Sequence, residues 1–507
     1  MKYSIALVTI LLAFSAAAQK KATAKKIATK IEVKPAAYAV IRGHISNNTK
    51  ELIDYSWNNY LGYAETSLRV NKNGDFFQKI KLPTEFTEFY LDVNDDDNII
   101  LPLLDKDTIT LTWDEKNFKK TLVINTNKPE SAIDIKKCND HRELFNSEIS
   151  KMYKEIGDKK MTDEEKFRKI NELYNKRIQS LLSGEVYPRT AQLAIDTYFD
   201  NCHILLSNGL LSKFNLRLTL PLVKPANMID VNYITAYEKA SEVVNNGQAY
   251  GMESEEYFKK SSKYRDFIFD YIRFKQPFNS WGVRGSVTPE NSMPFAPAWK
   301  DYYSGLAAFH IYELRDWYVT KSIMEDFSYY SFQDACDVYK DFAPKIKTAF
   351  YADTLKAYYS NIQRLKPGSP APLFNLKDEN GKMVSLASFK GKAVYIDFWG
   401  VGCGPCIYDI TNNVPALHEK YKDKDIVFIN ICVDSDEKEW KASLKKLNLN
   451  GVNLLAQGWT KNPTVSAYNI TGIPHYYLLN NEGKIVNNNC ERPSDDGLHE
   501  QLDKLLK

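Results

Sequence analysis

Two cysteines separated by two residues stand in the stretch Phe398-Trp399-Gly400-Val401-Gly402-Cys403-Gly404-Pro405-Cys406. Thiols at this spacing can close into a disulfide and reopen, so the stretch reads as a dithiol redox site. The flanking residues say where the sulfurs sit. Ala393 to Phe398 is an apolar, β-rich run that predicts a central strand. Downstream, Ile407, Ile410, Val414, Leu417 and Tyr421 recur at helical spacing and predict one face packed against a sheet. The cysteines then occupy a strand-to-helix turn, with Cys403 at the helix N-terminus. Unpaired N–H groups and the helix dipole favour a thiolate there, which makes Cys403 the attacking sulfur. Cys406, one turn later, can reach back as the resolving thiol.

This constellation resembles thioredoxin and, more narrowly, the envelope thiol-disulfide oxidoreductases of the TlpA-like or ResA-like type. The resemblance rests on Lys366-Pro367-Gly368-Ser369-Pro370-Ala371-Pro372-Leu373-Phe374, a hairpin around Glu379-Asn380-Gly381-Lys382, Ser385-Leu386 to Gly391-Lys392, and Val394-Tyr395-Ile396-Asp397-Phe398-Trp399. It covers about the last quarter of the chain. The resemblance implies that Asp397 is the buried acid of thioredoxins. Asp409 is the acid that the TlpA-like branch carries three residues after the second cysteine. Thr471-Gly472-Ile473-Pro474 matches the loop whose proline is cis and faces the dithiol. It further implies that Trp399, Gly404, Pro405 and Ile473 meet the partner chain. Three departures alter that rim: Gly402 replaces the usual tryptophan, Ile407 the usual basic residue, and the proline expected soon after the acid comes later, at Pro415.

Asp397, at the end of a buried strand, is expected to hold its proton more tightly than an ordinary aspartate and to relay one to or from Cys406. On spacing alone Asp409 is a solvated helix residue, while the resemblance implies the same proton work. Gly404-Pro405 is the thioredoxin pair, with no cation to stabilise the thiolate further, which predicts a reductant. Two other readings compete. A peroxiredoxin shares the fold but normally needs a threonine where Gly400 stands. A non-catalytic binding protein would leave the intact cysteines without purpose. A lone Cys-X-X-Cys supplies only two of about four zinc ligands, and His418 and His475 are not at a recognised spacing, so no metal or cofactor is expected.

The 507 residues, 44% hydrophobic, suffice for several cores. The expected organisation is a multidomain chain: a signal peptide over 1–18, a basic linker over 19–36, an antiparallel β domain over 37–126, a helical region over 127–365 and an α/β thioredoxin fold over 366–507. Lys2 followed by the apolar Ile5 to Ala18 has the composition of a cleavable secretory signal, too short to span a bilayer. The chain is therefore expected to be exported and soluble once the signal is removed, without a stable membrane span. A net charge of +3 argues against nucleic acid. The expected partners are disulfide-containing envelope proteins and an upstream membrane or periplasmic electron donor.

Between Tyr38 and Asn125 short alternating runs are punctuated by turn residues, and Asn73-Gly74-Asp75 predicts a hairpin joining Ser67–Val70 to Phe76–Ile80. The acidic run Asp95-Asp96-Asp97 reads as an exposed turn. Phe167, Ile170, Leu173, Tyr174, Ile178 and Leu181 mark a helix stopped by Gly184, a similar face follows at Tyr264 to Phe274, and Pro277 to Pro297 reads as an extended aromatic loop. Of seven cysteines, Cys138, Cys202 and Cys336 are open to one further disulfide, Cys432 reads as strand packing, and Cys490 has no assigned role.

Overall fold

The computed structural model describes residues 37–94, 97–157, 160–210, 253–275 and 297–507. The expected signal peptide and basic linker, Asp95-Asp96 and residues 277–296 of the expected loop lie outside the described residues.

Alternation of apolar and polar residues builds the first unit. In β7 (Thr108–Asp114), Ile109, Leu111 and Trp113 point inward and their neighbours do not. β7 lies in a four-stranded sheet of order β4-β1-β7-β8, with β1 Tyr38–Ser46, β4 Asp75–Lys81 and β8 Val123–Thr126. A second sheet has the order β3-β2-β5-β6, from β2 Leu52–Asn58, β3 Tyr63–Arg69, β5 Thr87–Asp92 and β6 Asn98–Leu103. Inward residues of both sheets, among them Ile41, Phe76, Phe89 and Leu101, share one core, so the unit is a sandwich.

Two expectations need correction here. The sandwich is mixed, because β1 and β7 pair in parallel from Val40↔Thr108 to Ser46↔Asp114. Between them the chain passes through β2 and β3 of the opposite sheet, β4 of this one, and β5 and β6 of the opposite sheet again, so β1 and β7 are not joined as a hairpin and can run in the same direction. The turn at Asn73-Gly74 joins no hairpin either: β3 pairs with β2 and β4 with β1, and a single bridge, Val70↔Phe76, links the two runs. The turn carries the chain from one sheet to the other.

Among the described residues between 129 and 362, helices dominate. The expected helix forms as Asp163–Leu181, where Thr162 and Glu165 close a capping box and Ile170, Tyr174, Ile178 and Leu181 are buried. Helices Ser262–Lys275, Tyr312–Tyr329 and Ala349–Ile362 follow, among others.

From residue 366 the chain forms a seven-stranded sheet of order β10-β9-β13-β12-β11-β14-β15. Its strands are β9 Asn375–Asp378, β10 Met383–Ser385, β11 Ala393–Trp399, β12 Ile426–Cys432, β13 Val452–Leu455, β14 His475–Leu479 and β15 Ile485–Asn487. The expected central strand is β11, parallel to β12, antiparallel to β14 and buried along its whole length. Burial on both faces explains why it reads as a continuous apolar run. Its alternate residues enter different cores. Tyr395 and Trp399 face the helices that follow the dithiol, whereas Ile396 and Phe398 join an apolar cluster that continues into the helical region through Tyr358, Phe327 and Trp317.

The single helix suggested by Ile407 to Tyr421 is two, Gly404–Asn412 and Val414–Tyr421. Pro415 has no N–H for the carbonyl of Thr411, and the chain breaks at Asn413 just before it. The five other cysteines are buried and free, so the disulfide considered among Cys138, Cys202 and Cys336 does not form.

Candidate functional site

β11 ends at Trp399, a short turn follows, and Cys403 caps the Gly404–Asn412 helix. Its Sγ accepts the Cys406 N–H at 3.2 Å, satisfying one of the donors that a helix start leaves open. Pro405 occupies the first turn, where a missing N–H is harmless. Cys403 and Cys406 are joined as a disulfide with Cα atoms 5.3 Å apart. The two sulfurs are not equivalent: Cys403 is half-buried, and Cys406 is 1% exposed among Trp399, Ile410 and Cys432.

The turn before Cys403 is held by a residue that sequence reading missed. The Asp434 carboxylate accepts the N–H of Val401 at 2.8 Å and of Gly402 at 3.0 Å, and Ser435 Oγ donates to it at 2.7 Å. Asp434 lies just beyond β12, the neighbour of β11, so the sheet delivers it to the turn. Gly400 permits this approach. A Cβ there would sit 2.3 Å from Asp434 Oδ2 and 2.7 Å from Ile473 Cδ1. Nothing in the spacing of Asp434 marks it, since the contact crosses two strands.

Ile473-Pro474 is cis, as the resemblance implied. Ile473 packs against the dithiol cluster, and Gly404 and Pro405 are exposed beside it. Trp399 departs from expectation: it is 0% exposed and lies beneath the dithiol, so its indole is not part of a partner-facing rim. The alternation of β11 turns it inward, toward the helix above the sheet.

The strand before the dithiol and the helix after it each carry a buried acid, Asp397 in β11 and Asp409 in Gly404–Asn412, with different surroundings. Asp397 is 3% exposed, and its Oδ1 has no hydrogen-bond partner among the described residues. Burial, and then the nearby Asp409 carboxylate, push its carboxyl up to about 8, with Arg492 pulling the other way. Asp409 is also buried rather than solvated, because the helix turns it toward the sheet. It is fully engaged: it accepts from Arg492 Nε at 2.8 Å and Nη2 at 2.7 Å, from the Tyr476 hydroxyl at 2.9 Å and from Asn413 Nδ2 at 2.7 Å. Arg492 also reaches the Pro405 carbonyl at 3.4 Å, tying the chain after β15 to the dithiol helix. Sequence reading missed Arg492 as well, since 83 residues separate it from Asp409.

His418 and His475 are both held by neighbouring groups of the fold. Burial lowers His418 to about 4 as it packs on Phe428, and buried His475 donates from Nε2 to the Asn488 carbonyl at 2.8 Å. Cys432, although it shares the dithiol cluster, has its thiol pushed up to about 12 by burial and is inert. Among the described residues no cluster of three metal-ligating side chains forms.

Comparison with known proteins locates the likeness in the same region. Residues 366–506 match the Redoxin family model. The ResA thiol-disulfide oxidoreductase of Bacillus subtilis (strain 168) is 31% identical over 130 residues, 26% of this chain and 70% of that protein. The ResA protein of Bacillus cereus (strain ATCC 10987 / NRS 248) is 28% identical over 152 residues, 30% of this chain and 83% of that one. Among solved structures, the thioredoxin domain of a thiol-disulfide oxidoreductase from Bacteroides vulgatus is 31% identical. It covers 28% of this chain and 99% of its own, with a TM-score of 0.26.

Proposed function

The chain belongs to the ResA/TlpA-like thiol-disulfide oxidoreductases of the thioredoxin superfamily, and we propose that within that family it is an exported reductant of protein disulfides. The observation that carries the reading is the asymmetry of the dithiol: Cys403 lies half-buried at the helix start, and Cys406 is buried behind it. In the reduced enzyme the Cys403 thiolate attacks one sulfur of a partner's disulfide. That S–S bond breaks, a mixed disulfide forms, and the partner's leaving sulfur takes a proton. Cys406 then gives up its proton and attacks Cys403 Sγ, expelling the second partner sulfur as a thiolate. Two electrons pass to the partner and the enzyme is left as the disulfide.

Asp397 is suited to the proton that Cys406 loses. A carboxyl held up at about 8 has a proton affinity close to that of a thiol, so transfer between them costs little. Asp409, bound by Arg492, Tyr476 and Asn413, acts in this reading by keeping a negative charge near Asp397. Gly404, Pro405, Ile473 and Pro474 form the surface that the partner meets.

The direction rests on Gly404-Pro405, which brings no cation to over-stabilise the Cys403 thiolate. The peroxide-reducing alternative is disfavoured by Gly400, since a threonine there would collide with Asp434 and Ile473. Export rests on Lys2 and the apolar Ile5 to Ala18. Among the described residues no helix is long and apolar enough to cross a membrane. The proposed partners are disulfide-containing envelope proteins and an upstream electron donor. Equilibration against a glutathione or thioredoxin couple tests the direction. A potential near about −270 mV is expected, and one nearer about −120 mV reverses it.

A further inference from the structure

The helical region reaches the partner-facing side of the dithiol. Helix Tyr312–Tyr329 ends beside the loop that carries Ile473-Pro474. Thr471 Oγ1 donates to Ser328 Oγ at 3.4 Å, and Asn469 Nδ2 donates to the Tyr358 hydroxyl at 3.2 Å, which in turn donates to the Met324 carbonyl at 2.9 Å. These bonds fix the loop against two helices that lie outside the thioredoxin fold. Gly472 then leaves a notch into which the Tyr329 hydroxyl fits. A Cβ on Gly472 would stand 2.7 Å from that oxygen.

Only the tip of Tyr329 is engaged in this way, and the residue remains 52% exposed. The next residue, Ile473, packs on the turn before Cys403, since its Cδ1 stands 2.7 Å from where a Gly400 Cβ would be. An exposed aromatic ring is therefore linked, through Gly472 and Ile473, to the loop that carries the attacking cysteine. Directly before that cysteine, Gly402 contributes no side chain, and a Cβ there would stand 3.5 Å from Asp434 Oδ2.

Resting on the thiol-disulfide exchange reading above, we propose that Tyr329 is a specificity-determining residue. It forms a wall of the cleft in which an extended segment of a disulfide-bonded polypeptide docks, and it selects segments with an aromatic or apolar side chain beside the cystine. The ring offers an apolar face to such a side chain. Its neighbours, Ser328 on the same helix and Thr471 and Ile473 on the loop, are uncharged, and the carboxylate of Asp434 on the far side of Ile473 disfavours an acidic residue. Partner choice thereby depends on a region outside the redox fold.

The test uses the full chain carrying Cys406→Ser, which stops at the mixed disulfide. Two synthetic peptides, each with one internal disulfide, differ only in a Phe or an Asp beside the cystine, and the rate of adduct formation is read by mass spectrometry. The parent is expected to take the Phe peptide about tenfold faster. Adding Tyr329→Ala should bring the ratio close to one, and Tyr329→Phe should keep it, because the ring and not the hydroxyl does the selecting. An unchanged ratio in Tyr329→Ala, or a loss of preference in Tyr329→Phe, overturns the assignment. Adduct formation is independent of the physiological direction, so an oxidising potential would overturn the reductant reading while this ratio still decides the role of Tyr329.

Discussion

The two sides of the dithiol are built by different means. On the Cys403 side the structure consists of backbone groups held in place: two N–H groups on the Asp434 carboxylate, glycines at 400 and 402, and an exposed Gly404-Pro405. On the Cys406 side it is a packed interior of Trp399 and Ile410 over two buried acids, one free of partners among the described residues and one bound by three. The contrast fits the division of labour proposed above. Attack needs access and a stabilised thiolate, which backbone N–H groups at an open helix start provide. Proton transfer needs a carboxyl whose affinity is set by burial, which only an interior provides.

The largest effect comes from the sulfurs. Cys403→Ser is expected to abolish reduction of a protein disulfide, and Cys406→Ser to accumulate covalent adducts, both read on non-reducing gels. Alkylation of the reduced wild-type protein at neutral pH should label Cys403 first. Faster labelling of Cys406 would invert the comparison.

Asp397→Asn probes the interior side. Resolution of the mixed disulfide should slow by about 100-fold, measured as the decay of the adduct in stopped-flow work. Stability should move the other way. The folded state holds the Asp397 proton up to about 8, whereas the unfolded chain releases it in the ordinary aspartate range. The native state is therefore not penalised below about pH 4, and it loses stability as pH rises from there to about 8. Asp397→Asn should leave the melting temperature unchanged at pH 4 and raise it at pH 8, by a free energy of at most about 4 kcal/mol at pH 7. A gain that is the same at both pH values would mean that Asp397 is ionised in the folded protein.

Asp434→Ala, on the open side, should have the smallest effect. Its carboxylate is solvent-exposed, and the Val401 and Gly402 N–H groups that lose it can turn to water, so about 1 kcal/mol of stability is expected to be lost, measured by urea unfolding. Removing a negative charge beside the turn should also quicken Cys403 alkylation at low pH. A loss comparable to that expected from core truncation would show that the open side depends on packing after all.

The site was legible where it is local. Cys403, Cys406, the strand before them and the helix after them lie within one contiguous stretch, and period and spacing act over that range. Pro474 and Asp397 were legible through a resemblance that residues 366–506 carry. The misreadings fall where distant segments meet. Trp399 was expected at the rim, but the sheet's alternation buries it; Asp409 looks solvated until Arg492 and Tyr476 arrive from beyond β13. Asp434 carries no pattern, because what matters is its register beside the turn after β11. In the first unit the alternation of β7 was readable, but partner strands and the parallel β1–β7 pair were not, since a turn does not say whether the chain stays in its sheet.

The sequence by itself determined the chemistry: a Cys-Gly-Pro-Cys dithiol at a strand-to-helix turn, with no cation between the cysteines. It could do so because bond geometry and helix polarity act over a few residues. Only the tertiary structure decided how that chemistry is tuned and what surrounds it. The proton affinity of Asp397 depends on burial and on Asp409, the turn before Cys403 depends on a carboxylate from the next strand, and the setting of the Ile473-Pro474 loop depends on Ser328, Tyr329 and Tyr358. Each is a contact or a field between segments far apart in the chain, fixed when the sheet aligns and the helices close over it.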